Sequence, residues 1–181
     1  MLRCGQAANT KPVTGLWSKI SRWWRGSAPS SERARIGQAG EAAAAAHLRS
    51  AGLRVLACNW RNPADSREEL DLVCQDGEVL VFVEVKTRAA GARVSGYHSV
   101  NARKKKVLLR ACRAYLARLR PPARFYRFDI VEVAHGADAK GTALRMMKLP
   151  ASLASVTRDG WEVWHFRNVP LFPAPGGHRH E

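Results

Sequence analysis

The sequence predicts an α/β protein, a mixed β-sheet flanked by helices. Three observations predict it. Segments of helical and strand periodicity follow one another in the order α-β-β-β-α-β, with further strands late in the chain. The run 79–86 (Val-Leu-Val-Phe-Val-Glu-Val-Lys) starts apolar on both alternating faces, as a central strand requires. The 181 residues, 46% apolar and 25% charged, are enough to bury one ordinary core.

Residues 1–30 contain no Asp or Glu and are punctuated by Gly, Ser, Thr, Pro and Asn, so they read as a basic, mostly flexible extension. Within it Leu16, Trp17, Ile20, Trp23 and Trp24 recur at helical spacing opposite Lys19, Arg22 and Arg25. Residues 16–25 therefore suit a membrane surface or a partner, or simple docking on the chain's own domain; the tryptophans also suit stacking on exposed bases. The main domain spans 31–169 and opens with a helix over 32–50. Ser30 or Ser31 caps it, Ala42 to Ala46 favour it and Gly52 ends it. Strands follow at 53–58 and 69–74, separated by a turn-rich loop at 62–66. Asp76-Gly77 signals a hairpin into a third strand over 78–86.

A second helix covers about 100–119. Leu108, Cys112, Tyr115, Leu116 and Leu119 share one face, and Arg103, Lys106, Arg110, Arg113 and Arg120 the other. Pro121-Pro122 stops it. A fourth strand is expected over 125–133, a Gly-containing loop over 135–142, and strands over 143–149 and 161–166. A Pro/Gly/His tail, 170–181, closes the chain.

Thirty Lys and Arg against fifteen Asp and Glu leave a formal charge of +15, which implies a polyanionic partner. The charge is concentrated. Between Glu84 and Asp129 there is no acidic residue, while that window carries Lys86, Arg88, Arg93, Arg103, Lys104, Lys105, Lys106, Arg110, Arg113, Arg118, Arg120, Arg124 and Arg127. A merely solubilising surface mixes signs, so nucleic-acid binding is the favoured reading. No apolar run approaches the ~18–20 residues of a membrane span, and no secretory signal pattern opens the chain. Cys4, Cys58, Cys74 and Cys112 form no CxxC pair, which argues against a zinc site or disulfide framework and fits a reducing cytoplasm.

Alternation in 79–86 places Leu80, Phe82, Glu84 and Lys86 on one face, so that face turns ionic only at its end. Glu69 and Asp71 share a face of the preceding strand. Antiparallel pairing through Asp76-Gly77 makes Asp71 and Glu84 cross-strand neighbours. Two adjacent carboxylates repel, and a divalent cation relieves them; Mg²⁺ or Mn²⁺ suits phosphate chemistry. Lys86 would then stabilise phosphate charge or orient water, the alternative being a plain Glu-Lys ion pair at a strand end. Glu41 shares a helix face with Gly37, Ala45 and Leu48, a face that is apolar and therefore expected to be buried; a buried Glu is rare unless paired or metal-bound. Lys104 is in register with Leu108, Ala111 and Tyr115, so it points towards the sheet, as a phosphate clamp or as a snorkelling lysine.

The stretches Gly37-Gln-Ala-Gly40-Glu41, Asn59-Trp60-Arg61, Glu69-Leu-Asp71-Leu-Val73, Val81-Phe-Val-Glu84-Val-Lys86-Thr-Arg88 and Arg127-Phe-Asp129 resemble the YraN family of bacterial proteins. The resemblance runs from about 33 to 133, with a looser match at 161–169. It implies a restriction-endonuclease-like fold, similar to archaeal Holliday-junction resolvases. It implies a metal-dependent nuclease of DNA, branched or otherwise structured, or else a non-catalytic nucleic-acid-binding relative. The superfamily's catalytic positions fall on Glu41, Asp71, Glu84 and Lys86, with Asp71, Glu84 and Glu41 as metal ligands. Glu69 and Lys104 match supporting positions. Nucleic-acid contacts are expected from Arg88, Arg103, Lys104, Lys105, Lys106, Arg110 and Arg113. A homodimer is implied by analogy with resolvases. The family's usual glycine before the Glu-x-Asp stretch is Glu68 here, and segments 62–67 and 135–160 are expanded.

Overall fold

The structure is a computed structural model and describes residues 31–89, 101–135, 156–158 and 160–172. Helix α1 (Glu32–Ser50) starts where Ser31 Oγ accepts the Ala34 N–H at 3.2 Å. It ends at Ala51, and Gly52 follows with a φ of 87°, the left-handed conformation that lets the chain leave a helix. Strands β1 (Arg54–Asn62), β2 (Asp65–Asp76) and β3 (Val79–Ala89) form an antiparallel meander. The second turn is Gly77, at φ 56°. Helix α2 (Ala102–Leu116) then crosses over to β4 (Phe125–His135), which pairs parallel to β3 along its whole length. Two short strands, β5 (Val156–Arg158) and β6 (Trp161–Phe166), complete a six-stranded mixed sheet in the order β1-β2-β3-β4-β6-β5.

The alternation of β3 divides the core in two. Leu80 and Phe82 pack with Leu108, Ala111 and Cys112 of α2, and with Ile130, Trp164 and Phe166. Val81, Val83 and Val85 pack with Ala44, Ala45 and Leu48 of α1, and with Val131, Val133 and Val163. Each fully buried side chain of this size stabilises the fold by roughly 1.5–3 kcal/mol, so the two-sided apolar pattern of β3 makes it the keystone of both layers. Small residues on α1 let it lie close to the sheet. A Cβ on Gly40 would stand 2.1 Å from Thr87 Oγ1, so only glycine fits there.

The expected α/β architecture is present, and α1 and β6 have the expected bounds. The expected loop at 62–66 contracts to the two residues between Asn62 and Asp65, because the polar stretch 65–69 continues β2 as a hairpin arm. Helix α2 is shorter than expected. Beyond Leu116 the bonds tighten to Arg118 N–H on Tyr115 O and Leu119 N–H on Leu116 O, both 3.1 Å, a turn rather than continued helix. Strand β5 had no counterpart in the sequence reading. The expected strand at 143–149, the loop after His135 and the amphipathic stretch 16–25 lie outside the described residues. Leu171 and Phe172, assigned to the tail by composition, pack on the α2-side core, with Phe172 against Tyr126 at 4.7 Å. Among the described residues no helix is long and apolar enough to cross a membrane.

Candidate functional site

The ladder between β2 and β3 stops at Leu72 opposite Val83. One step further in register, Asp71 faces Glu84. The strands part there, and the Val85 N–H that the ladder no longer serves donates to Asp71 Oδ2 at 2.7 Å. The two central strands are no longer hydrogen-bonded beyond this point, and four elements bring ionic groups to it.

Glu84 comes from β3 and is 2% exposed. Lys86 Nζ donates to Glu84 Oε1 at 2.6 Å, and Lys104 Nζ, from the first turn of α2, lies 3.3 Å from the same oxygen. Glu84 Oε2 is buried without a hydrogen-bond partner, the one such side-chain atom among the described residues. Asp71 comes from β2. Burial first, and the Glu84 charge second, push its carboxyl up to about 7, with the Val85 N–H opposing and Glu41 adding to the rise. Glu41, half-buried on α1, accepts from Asn59 Nδ2 at 2.9 Å. Burial raises its carboxyl, the Asn59 bond opposes this, and Glu69 and Glu84 raise it further. Glu69 is tied to Arg61 at 3.0 Å, both partly exposed.

The structure thus brings Glu41, Asp71, Glu84, Lys86 and Lys104 together, while Glu69 lies to one side, near Glu41 and held by Arg61. Among the described residues no three His, Cys, Asp or Glu side chains close a cation cage by themselves. The donor chemistry nonetheless fits Mg²⁺ or Mn²⁺, which take one or two carboxylates and retain waters. Asp71 and Glu84 are two carboxylates that could supply them, and Glu84 Oε2 is a buried acceptor that no described group serves.

The basic window is acid-free in sequence but not in space. Arg88 Nε donates to Glu132 at 3.2 Å, and Arg110 Nε donates to Glu68 at 2.6 Å. Arg127 pairs with Asp129 and Asp76. Carboxylates from outside the acid-free window thus offset part of its thirteen positive charges. What remains is the exposed face of α2. Arg103, Lys105, Lys106 and Arg113 make no ion pair with a described carboxylate. Arg103 to Lys106 also crowd a helix N-terminus with no acidic residue in its first turn. Cations there oppose the helix dipole, and an anion would relieve them.

Two site features escaped sequence reasoning. Asn59 interrupts an apolar strand at a φ of 49°, which breaks the alternation that would have assigned it a face. Glu68 is 6% exposed and accepts from Arg110 and from Asn62 Nδ2 at 2.8 Å, tying the β1–β2 hairpin to α2. The Arg110 bond, first, and the Asn62 bond hold its carboxyl low.

Fold and site together define an α/β protein of restriction-endonuclease-like architecture, with a carboxylate–lysine cluster at the parting of two central strands. The chain belongs to the Uncharacterised protein family UPF0102, whose model matches residues 40–133, from the middle of α1 into β4. A UPF0102 protein of Symbiobacterium thermophilum is 45% identical over 106 residues, which is 59% of this chain and 87% of that one. A UPF0102 protein of Nitratidesulfovibrio vulgaris is 44% identical over 99 residues, 55% of this chain and 72% of that one. One from Oleidesulfovibrio alaskensis is 37% identical over 138 residues, 76% of this chain and 65% of that one. The matched region contains every proposed site residue from Glu41 to Arg113.

Proposed function

We propose that this protein is a Mg²⁺- or Mn²⁺-dependent nuclease that hydrolyses phosphodiester bonds in DNA, branched or otherwise structured DNA being the preferred substrate. The observation that carries the reading is Glu84 Oε2, a buried carboxylate oxygen without a partner beside the crowded Asp71 carboxyl. Asp71 and Glu84 would hold the ion, with Glu41 in support. When bound, it would polarise a phosphoryl oxygen and make a coordinated water more acidic. The chain's own residues account for the rest. Lys86 Nζ, fixed on Glu84 Oε1, sets a positive charge where the phosphate oxygens gain charge. Lys104 adds a second from α2, which also links the cluster to the phosphate-binding face of Arg103, Lys105, Lys106 and Arg113. These contacts give affinity and register without reading sequence.

A second reading is a nucleic-acid-binding protein that does not cut. It is favoured by the two lysines already seated on Glu84 Oε1. Purified protein incubated with single-stranded, duplex, flapped and four-way DNA in Mg²⁺, Mn²⁺ or EDTA separates the two. The nuclease reading expects metal-dependent cutting that Asp71→Ala lowers by about a hundredfold to a thousandfold. Salt-dependent binding with no cutting in any metal would leave only the second reading.

A further inference from the structure

Cys58 and Trp60 pair with Leu72 and Leu70, two residues apart on each strand, with no register shift between them. In a regular strand both members of such a pair lie on one face. Here they do not. Cys58 and Leu72 pack in the α1-side core, whereas Trp60 and Leu70 pack in the α2-side core, Trp60 edge-on to Tyr115 at 5.2 Å. Both strands turn over here, β2 at Asp71 and β1 at Asn59 opposite it, and in β1 the residue at the turn-over has a φ of 49°, which few side chains other than asparagine tolerate. That residue stands opposite Asp71, and its amide Nδ2 donates to Glu41 Oε2 at 2.9 Å. The Glu41 backbone is held independently, because the preceding Gly40 seats α1 directly on Thr87 of β3. One contact fixes where Glu41 starts, and the other fixes where its carboxylate ends.

We propose that Asn59 is a positioning residue for Glu41, its left-handed backbone turning the amide out of β1 so that it aims the Glu41 carboxylate at the Asp71–Glu84 pair. This rests on the metal-dependent reading of the site given above. A purely structural role for residue 59 would need only the backbone turn-over, which glycine and aspartate also adopt. A positioning role needs the N–H donor, which both lack.

The test is Mn²⁺ binding to the full chain by calorimetry, for Asn59→Gly and Asn59→Asp, each alone and in a Glu41→Gln background, beside wild type and Asp71→Ala. The expected result is that both single variants keep the wild-type circular dichroism while Mn²⁺ affinity falls about tenfold to a hundredfold. In the Glu41→Gln background the same changes are expected to alter affinity by less than about twofold, because the carboxylate they aim is gone. Wild-type affinity in Asn59→Gly, or a full loss that persists without Glu41, would overturn the proposal. If Asp71→Ala loses Mn²⁺ while Asn59→Gly keeps it, only the role of Asn59 falls. If wild type itself binds no Mn²⁺, the metal reading falls and the proposal falls with it.

Discussion

Glu84 and Asp129 sit on neighbouring parallel strands, Asp129 paired with Val83 and Glu84 with Ile130, so their side chains leave the sheet from opposite faces. Both are essentially withdrawn from water, at 2% and 0% exposure. Their treatment differs. Asp129 accepts from Arg127 Nε at 3.0 Å, from the Asn168 N–H at 2.8 Å and from His165 Nε2 at 2.9 Å, and Arg127 goes on to Asp76 at the β2–β3 turn. Burial alone would raise the Asp129 carboxyl; the bonds from His165, Arg127 and Asn168 outweigh it and hold it below the ordinary range. Glu84 shares one oxygen between two lysines and leaves the other unserved, and its neighbour Asp71 is pushed up to about 7. A buried carboxylate with every acceptor satisfied fastens β4 to β6. One left short, beside a second that resists ionisation, marks a place built for something else.

The largest effect expected from this contrast is on stability. Asp129→Ala leaves a hole, with His165 deprived of its carboxylate and Arg127 held by Asp76 alone, and is expected to cost about 3–5 kcal/mol, read by urea or thermal unfolding. A loss under about 1 kcal/mol would break the comparison. Next comes the seat of Glu41. Gly40→Ala drives a Cβ into Thr87, whose own Cβ is 3.0 Å from it, so no rotation of Thr87 clears the way. About 1–3 kcal/mol of destabilisation is expected.

Acid titration sharpens the comparison by sign. Asp129 has a folded-state pKa below its unfolded value, so it stabilises the fold above about pH 4 and that contribution disappears as pH falls through the folded value. Asp71 has a folded-state pKa above its unfolded value. The folded protein retains a proton that the unfolded chain releases, so stability declines as pH rises from about 4 towards 7 and the cost is complete above that. Asp71→Asn is therefore expected to raise Tm by a few degrees at pH 8 and hardly at all at pH 4. An equal shift at both pH values would mean that charge is not what Asp71 suffers from. The smallest effect is at Gly37, where a Cβ meets nothing within 4 Å. There Gly37→Ala is expected to stabilise α1 by about 0.5–1 kcal/mol, the reverse of Gly40→Ala three residues later.

Local patterns in the sequence carried much of this. Helix α1 was legible to the residue because its start and stop signals, Ser31 and Gly52, act within a turn of where they stand. The pairing of Asp71 with Glu84 was legible because both follow from period-two alternation around one tight turn, Asp76-Gly77. The lengths of β1 and β2 were not. Asn59 reverses the faces of β1, and the polar arm 65–69 has no apolar face to announce it. Nor were the counter-charges. Glu68 reaches Arg110 across 42 positions and Glu132 reaches Arg88 across 44, so no window of sequence holds both partners.

By itself, then, the sequence determined the element types, the two-sided core strand, the residues that carry charge to its end, and the net positive balance of the chain. These depend on periodicity, turn chemistry and composition, all local. Only the tertiary structure decided which charges are free. It paired Arg88, Arg110 and Arg127 with carboxylates from other strands, left the outer face of α2 to solvent, and parted β2 from β3 so that one oxygen of Glu84 stayed without a partner. The physical reason is range. A helix cap or a strand face is set within a few residues, whereas the energy of a buried charge depends on every group the fold brings around it.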